Sequence, residues 1–156
     1  MTVLLRIAAR VRLVVWRVFG PRTVGVRGLV VDAEGRVLLV RHTYGPSTWH
    51  LPGGGVKRRE TIEAAARREL REEAGVVCTG ALALLGVYSN VRGGKSDHIS
   101  VLVATEWECE RDPHDSAEIA AAEWFAPDDL PDDATPATRR RVAEWRAGSR
   151  GLIDAW

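Results

Sequence analysis

A chain of 156 residues, 46% hydrophobic and 28% charged, has the size and composition of one folded domain, which excludes a disordered chain and leaves little room for a second domain. The formal net charge of +1 gives no sign of a nucleic-acid-binding protein. Six arginines precede the first acid, Asp32, so the rest of the chain is acidic on balance. Cys78 and Cys109 match no metal-site spacing, and a reducing cytoplasm is the simplest location.

The first segment, residues 1–20, is apolar, but four arginines interrupt it, so we do not expect it to span a membrane. At helical spacing its apolar residues share one broad face: Leu4, Ile7, Ala8, Val11, Val14, Val15 and Val18. Arg6, Arg10 and Arg17 lie on the opposite side. The pattern predicts an amphipathic helix that packs on its own domain or on a second subunit, as in a homodimer; the alternative is a basic helix on an anionic membrane surface.

The remainder, residues 21–156, has the pattern of one domain of short strands and two helices. Strands are predicted at 23–31, 36–42, 49–51, 81–88, 99–107 and 122–125. Helices are predicted at 61–74, which ends at Gly75, and at 136–147, with a single turn at 128–130 and an acidic loop at 108–118. A mixed sheet with helices packed on it follows, which is an α/β or α+β fold.

The helix at 61–74 carries an unusual set of acids. At about 100° per residue, six residues fall within one third of its circumference: Ile62, Ala65, Ala66, Glu69, Glu72 and Glu73. The stripe expected to face the core therefore begins apolar and ends in three carboxylates. Partly buried carboxylates repel one another and lose hydration, so they need a positive partner.

Two interpretations of these acids remain open on geometry alone. A hard divalent cation such as Mg²⁺ prefers carboxylate oxygens, and the preceding glycine-rich turn would let a phosphate chain approach the backbone. Phosphoanhydride hydrolysis needs such neutralised phosphates, a positioned water and a carboxylate to receive its proton. The structural alternative is a solvated helix whose acids pair with Arg67, Arg68 and Arg71 on neighbouring turns.

The segment 54–76 resembles the Nudix box, the defining motif of the Nudix hydrolase family. Every specified position is occupied without a gap: Gly54, Glu60, Arg68, Glu69, Leu70, Glu72, Glu73, Gly75 and Val76. Residues 49–54 before the box, and 118–119 with 123–125 after it, are similar to family sequences as well. The resemblance covers residues 23–130, and it implies a Nudix-like α/β/α sandwich with a mixed sheet.

The resemblance also implies roles for particular residues. Glu69, Glu72 and Glu73, with Gly53 in the turn before the box, would hold Mg²⁺ or Mn²⁺. Arg68 would pair with the carboxylates and orient them. Glu69 is a candidate to orient or deprotonate the attacking water, and Glu118, outside the box, is a second candidate for metal ligand or general base.

Other residues have weaker signals. Lys57 stands where many relatives have an acid, and Arg59 where many have a glycine. For Lys57, Arg58 and Arg59 a solvated basic turn is favoured over phosphate contacts. His42, Tyr44 and Trp49 could stack on a base or sugar, but ordinary core or loop positions are favoured. His98 is expected to be structural, and Trp107 and Trp124 to belong to the core.

The resemblance implies a hydrolase that cleaves a phosphoanhydride bond in a nucleoside diphosphate linked to another group. The substrate would be a small molecule, because the acidic remainder of the chain disfavours long nucleic acid. The alternative is a catalytically silent nucleotide-binding or regulatory module of the same fold. The retained carboxylates argue against that alternative.

Overall fold

The computed structural model describes residues 22–92, 95–110 and 118–156. Its elements are β1 (Arg22–Val30), β2 (Val37–His42), α1 (Ile62–Ala74), β3 (Val76–Cys78), β4 (Ala83–Arg92), β5 (Lys95–Ala104), β6 (Trp107–Cys109), β7 (Ile119–Phe125), α2 (Pro136–Arg146) and β8 (Leu152–Ala155). The helix predicted for residues 1–20 lies outside the described residues.

The largest sheet has four strands in the order β1-β5-β4-β8. β1 runs parallel to β5, β4 antiparallel to β5, and β8 parallel to β4, which confirms the predicted mixed sheet. Two smaller antiparallel pairs, β2–β7 and β3–β6, complete the strand pairing.

The two helices pack on opposite faces of this sheet. On the first face, Ala65 and Ala66 of α1 cluster with Val26 and Leu102. A Cβ at Gly28 of β1 would lie 2.5 Å from Cδ2 of Leu70, so the glycine allows α1 to pack close to the sheet. On the second face, Val142 of α2 joins a core cluster with residues of β1, β2, β4 and β5. The mixed sheet with a helix on each face confirms the expected α/β class.

Local sequence signals position α1 and therefore the acids that it carries. The Thr61 side chain accepts a hydrogen bond from the Ala64 N–H at 3.1 Å and caps the helix at its N-terminus. Gly75 adopts the left-handed conformation, with φ of 65°, and ends the helix. Both helix ends therefore lie where the sequence predicts them.

Several predicted strand boundaries are wrong. Residues 49–51 do not form a strand: Trp49 and His50 make only isolated bridges, to Ala134 and Val40. The strand predicted at 99–107 is two strands, β5 and β6, and β4 extends to Arg92 beyond its predicted end. β3 and β8 are absent from the prediction because three or four residues are too few to show alternation.

Neither helix in the described part of the chain has the length and apolar composition of a bilayer span.

Candidate active site

Most of the predicted site residues meet at a cavity of about 490 Å³. It lies between residues 53–55, which we call the glycine turn, the end of β2, and α1. Gly53, Glu69, Glu73 and Glu118 all line it. Glu72 and Arg68 do not line it. The cavity therefore gathers three of the predicted carboxylates and separates them from the fourth.

Glu73 is the buried acid of the cavity, with 7% of its surface exposed. Its Oε2 accepts a hydrogen bond of 2.7 Å from the Gly53 N–H, and its Oε1 lies 3.4 Å from Nε2 of His42. Burial raises the pKa of Glu73 to about 7, while burial lowers the pKa of His42. Both shifts favour the neutral forms, so the contact is not a full ion pair near neutral pH.

Glu69 lies one turn before Glu73 on the same side of α1, and its side chain is 12% exposed. Its Oε1 accepts a hydrogen bond of 2.6 Å from Nη1 of Arg68. A Cβ at Gly54 would lie 2.7 Å from that same Oε1. The glycine turn therefore leaves room for the Glu69 carboxylate beside the backbone.

Arg68 connects the helix to the glycine turn. Its guanidinium donates to both oxygens of Glu60, at 2.7 and 2.9 Å, and to the Gly55 carbonyl at 3.0 Å. The hydrogen bonds from Arg68 lower the pKa of Glu60 to about 2. Arg68 thus fixes the turn and Glu69 relative to each other.

Glu72 faces a different direction from Glu73, because successive helical residues are about 100° apart. Its side chain is 54% exposed and Oε2 lies 3.1 Å from Nη1 of Arg68. It lines a separate cavity of about 530 Å³ on the outer side of α1. Ile62 is also exposed, whereas Leu70 and Ala74 are buried, so the expected inward stripe is wrong at Ile62 and Glu72.

Arg27 on β1 belongs to the site although the sequence analysis did not single it out. Its Nη1 donates to the Leu51 carbonyl at 3.2 Å and to the Gly53 carbonyl. The glycine turn is therefore held from both sides, since the Gly53 N–H binds Glu73. The available signal was a positive side chain between the apolar residues Val26 and Leu29 of the strand.

The aromatic candidates divide between site and core. His42 and Tyr44 line the cavity, and their rings lie 5.0 Å apart. Trp49 is buried in the core, which agrees with the core or loop position that the sequence favours. His50, which the sequence analysis also missed, stacks on His42 at 4.6 Å, and burial lowers its pKa to about 4.

A second cavity of about 540 Å³ adjoins the first, since Arg27 and His50 line both. Asn90, Arg140 and Trp156 line the second cavity as well. Because the two cavities share Arg27 and His50, they form one groove, with Glu69, Glu73 and Glu118 in the first cavity and Arg140 in the second.

The donor types in the first cavity fit a hard divalent cation. Carboxylate oxygens are the ligands that Mg²⁺ prefers. The raised pKa of Glu73 reflects a burial cost that a bound cation would offset. Within the described ranges, however, no three His, Cys, Asp or Glu side chains already lie close enough to hold an ion.

The remaining predictions concern surface residues. Lys57, Arg58 and Arg59 are exposed, as a solvated turn requires. His98 is exposed, and its Nδ1 lies 3.1 Å from Oγ of Ser89. The rings of Trp107 and Trp124 stack at 5.1 Å and pack, partly buried, against a core cluster.

Comparison with protein families identifies the chain. The model of the NUDIX domain matches residues 21–145. The chain therefore belongs to the Nudix hydrolase family, which confirms the resemblance of the box.

Curated relatives include a putative 8-oxo-dGTP diphosphatase from Bacillus subtilis, 31% identical over 83% of this chain and 84% of that protein. A MutT-like protein from Streptomyces ambofaciens is 34% identical over 69% of this chain and 66% of its own length. Diphosphoinositol polyphosphate phosphohydrolase 2 from Rattus norvegicus is 40% identical over 63% of this chain. The chain spans just under two thirds of the Streptomyces protein and about half, 54%, of the rat protein.

Solved structures show the same fold. The MutT NUDIX hydrolase from Burkholderia pseudomallei matches with a TM-score of 0.69 and 32% identity, over 80% of this chain and 98% of that one. A NUDIX hydrolase from Nitrosomonas europaea matches with a TM-score of 0.70 at 22% identity.

Proposed function

We propose that this chain is a metal-dependent pyrophosphohydrolase that acts on small nucleoside diphosphate derivatives. The observation that carries the proposal is the gathering of Glu69, Glu73 and Glu118 in one cavity beside a glycine turn. Two of the relatives are named as a diphosphoinositol polyphosphate phosphohydrolase and a putative 8-oxo-dGTP diphosphatase, which supports a phosphoanhydride bond as the target here.

In the proposed reaction, water attacks one phosphorus of a P–O–P bridge and the bridging oxygen leaves with the other phosphate. The products are two phosphorylated molecules, and the proton of the water passes to a carboxylate and then to solvent. Glu69 and Glu118 are the candidate bases. A base must be ionised at neutral pH, and burial disfavours the ionised form of Glu73.

Glu69 and Glu73 would hold Mg²⁺ or Mn²⁺, with Glu72, Glu118 and the Gly53 carbonyl as further candidate ligands. Such a cation neutralises phosphate charge and lowers the pKa of a bound water. Glu72 would first have to leave Arg68, with which it pairs. Arg27 supports the glycine turn and stands where the two cavities meet, so it is placed to contact a phosphate between them.

The adjoining cavity is the place for the group attached to the diphosphate. Trp156 offers a ring for stacking, and Arg140 and Asn90 offer hydrogen-bond donors. These groups suit a base, a sugar or a further phosphate. The proposed substrate class is accordingly a diphosphate joined to a second polar moiety.

A product-resolved screen tests the proposal. Purified protein is incubated with nucleoside triphosphates, ADP-ribose, nucleotide sugars, dinucleoside polyphosphates and a diphosphoinositol polyphosphate, each with Mg²⁺ and with chelator. We expect two phosphorylated products from at least one class, in the presence of Mg²⁺ only. Nucleotide binding without turnover across the panel would instead support the catalytically silent module.

The proposed setting is a reducing cytoplasm, since two cysteines, Cys78 and Cys109, match no metal-site spacing and form no dense disulfide framework. A homodimer through residues 1–20 stays a prediction that size measurement in solution can test.

A further inference from the structure

Residues 146–156 follow the matched family domain, and they bring a tryptophan into the second cavity of the groove. After α2 the chain returns as β8, which pairs in parallel with β4. The register places Ala155 beside Ser89, and the Trp156 N–H donates to the Ser89 carbonyl at 3.1 Å. Trp156 is therefore level with Asn90, the next residue of β4, and both residues line the second cavity.

Buried residues orient the indole of Trp156. Its ring centre lies 6.1 Å from that of Tyr88, at an angle of 63°, and the Arg141 guanidinium lies 5.9 Å from it. Nη1 of Arg141 also donates to the carbonyl of the preceding residue, Ala155, at 3.3 Å. Tyr88 and Arg141 are buried, whereas Trp156 is only half-buried. The ring is therefore oriented before a ligand binds, and part of it stays accessible in the cavity.

The other side chains of the second cavity suit a neutral, planar ligand. The Asn90 amide can both donate and accept hydrogen bonds, as the edge of a nucleobase requires. Burial lowers the pKa of His50 to about 4, so its imidazole is neutral at neutral pH. Among the described residues that line the cavity, the cations are Arg27 and Arg140, and Arg27 already donates to two backbone carbonyls. A ligand that carries several phosphates would need more positive charge than this.

We propose that Trp156 is a specificity-determining residue, whose indole forms a stacking wall for a nucleobase bound in the second cavity. Asn90 hydrogen-bonds the edge of that base. Every base has a π-face, so stacking on an aromatic side chain is favourable for all of them. The proposal rests on the proposed function in one respect, which is that the first cavity holds the diphosphate. Since Arg27 and His50 line both cavities, the sugar that joins base and diphosphate lies beside these two residues.

Binding of hydrolysis-resistant analogues tests the proposal without any turnover. The probes are the α,β-methylene diphosphates of adenosine, guanosine, cytidine and uridine, together with α,β-methylene ribose 5-diphosphate, which lacks only the base. Each analogue is titrated into the full chain in the presence of Mg²⁺, and its Kd is measured by calorimetry. We expect at least one nucleoside analogue to bind about tenfold or more tightly than the base-free analogue, because stacking of one base contributes about this factor.

Two substitutions at position 156 separate stacking from a structural role. Trp156→Leu keeps an apolar side chain but removes the aromatic face, whereas Trp156→Phe keeps an aromatic face. We expect Trp156→Leu to bind the preferred nucleoside analogue about tenfold more weakly and the base-free analogue within about twofold of the wild type. Trp156→Phe should retain most of the nucleoside affinity. A role in folding alone would instead weaken the binding of both analogues by the same factor.

Two results would overturn the proposal. The first is equal affinity of the wild type for the base-free analogue and every nucleoside analogue, or no binding of any of them, and this comparison needs no substitution. The second is equal weakening of both kinds of analogue in Trp156→Leu. Failure of the proposed hydrolysis is a separate result, because a chain that prefers base-bearing analogues but releases no product keeps the nucleobase site and loses only the proposed reaction.

Discussion

Burial decides the protonation of two residues of the cavity, and it acts in opposite directions on an acid and a base. It raises the pKa of Glu73 to about 7 and lowers the pKa of His50 to about 4. Both shifts favour the neutral form. Without a bound cation Glu73 is partly protonated near neutral pH, so metal binding at Glu73 should release a proton.

The lowered pKa of His50 predicts a loss of stability in acid. An unfolded histidine protonates near pH 6.5, whereas the folded one resists protonation until about pH 4. The stabilising contribution is therefore complete above pH 6.5 and is lost as the pH falls through this window, by at most about 3 kcal/mol. Urea unfolding at pH 7.5 and pH 4.5 should show a smaller loss for His50→Gln than for the wild type.

His98→Gln, at an exposed histidine, serves as the control for this prediction and should lose as much stability as the wild type does. An identical acid loss in His50→Gln and the wild type would show that burial does not keep His50 neutral.

At the scale of residues, the sequence identified the acids of α1 but did not predict the direction in which each of their side chains points. Helical spacing correctly put Glu69 and Glu73 on one side of α1. It could not show that the buried side is centred nearer Leu70, which turns Glu72 outward. Arg27 and His50 were missed because their place in the cavity comes from strand pairing and loop path, which no local pattern reports.

At the scale of elements, the glycine turn and α1 form one unit. The Gly53 N–H binds Glu73, the Gly55 carbonyl binds Arg68, and the absence of a side chain at Gly54 makes room for Glu69. The turn thus fixes the carboxylates through backbone contacts.

Adjacent glycines allow a matched test of this unit. A Cβ at Gly54 would lie 2.7 Å from Oε1 of Glu69, whereas one at Gly55 meets nothing within 4 Å. Gly54→Ala should displace the Glu69 carboxylate and lower turnover by about tenfold or more, with little change in thermal stability, because a flexible side chain yields. Gly55→Ala should retain near-normal turnover.

Steady-state kinetics and thermal unfolding of both variants check this prediction. Equal turnover in the two variants would mean that Gly54 is not needed to seat Glu69.

The sequence predicted best those elements whose two ends are marked by residues within the element or next to it. Thr61 and Gly75 mark the ends of α1, and Thr135 caps α2 before Pro136. The short strands β3 and β8 depend on their partners in the sheet instead. Their formation is a tertiary effect that sequence pattern alone does not contain.

At the scale of the whole molecule, a polar cluster joins α2 to β4 and, through a hydrogen bond of 3.3 Å from Nη1 of Arg141 to the Ala155 carbonyl, to β8. The Tyr88 hydroxyl donates to Oε2 of Glu144 at 2.8 Å, and Nη2 of Arg141 binds Oε1 of Glu144 at 2.7 Å. The Arg141 guanidinium lies 3.6 Å from the centre of the Tyr88 ring. Since residues 146–156 extend past the matched family domain, this cluster connects β8 to the family fold.

Removal of the Tyr88 hydroxyl should lower stability without changing turnover. Tyr88→Phe leaves one oxygen of Glu144 without its donor, which should cost about 1–2 kcal/mol in the free energy of unfolding. Tyr44→Phe, at an exposed tyrosine, should not change this free energy. Denaturant unfolding checks both variants, and equal stability of Tyr88→Phe and the wild type would show that the cluster does not stabilise the fold.

We propose that the carboxylates of α1 in the cavity, Glu73 above all, hold the cation on which hydrolysis depends. Glu73→Gln keeps the shape of the side chain but removes its charge, and Glu63→Gln makes the same change at an exposed acid of the same helix that pairs with Arg67. Turnover and Mn²⁺ affinity are measured for both variants under identical conditions. We expect Glu73→Gln to lose about a hundredfold or more in turnover and to bind Mn²⁺ more weakly, and Glu63→Gln to match the wild type. Near-normal turnover and Mn²⁺ binding in Glu73→Gln would contradict the claim.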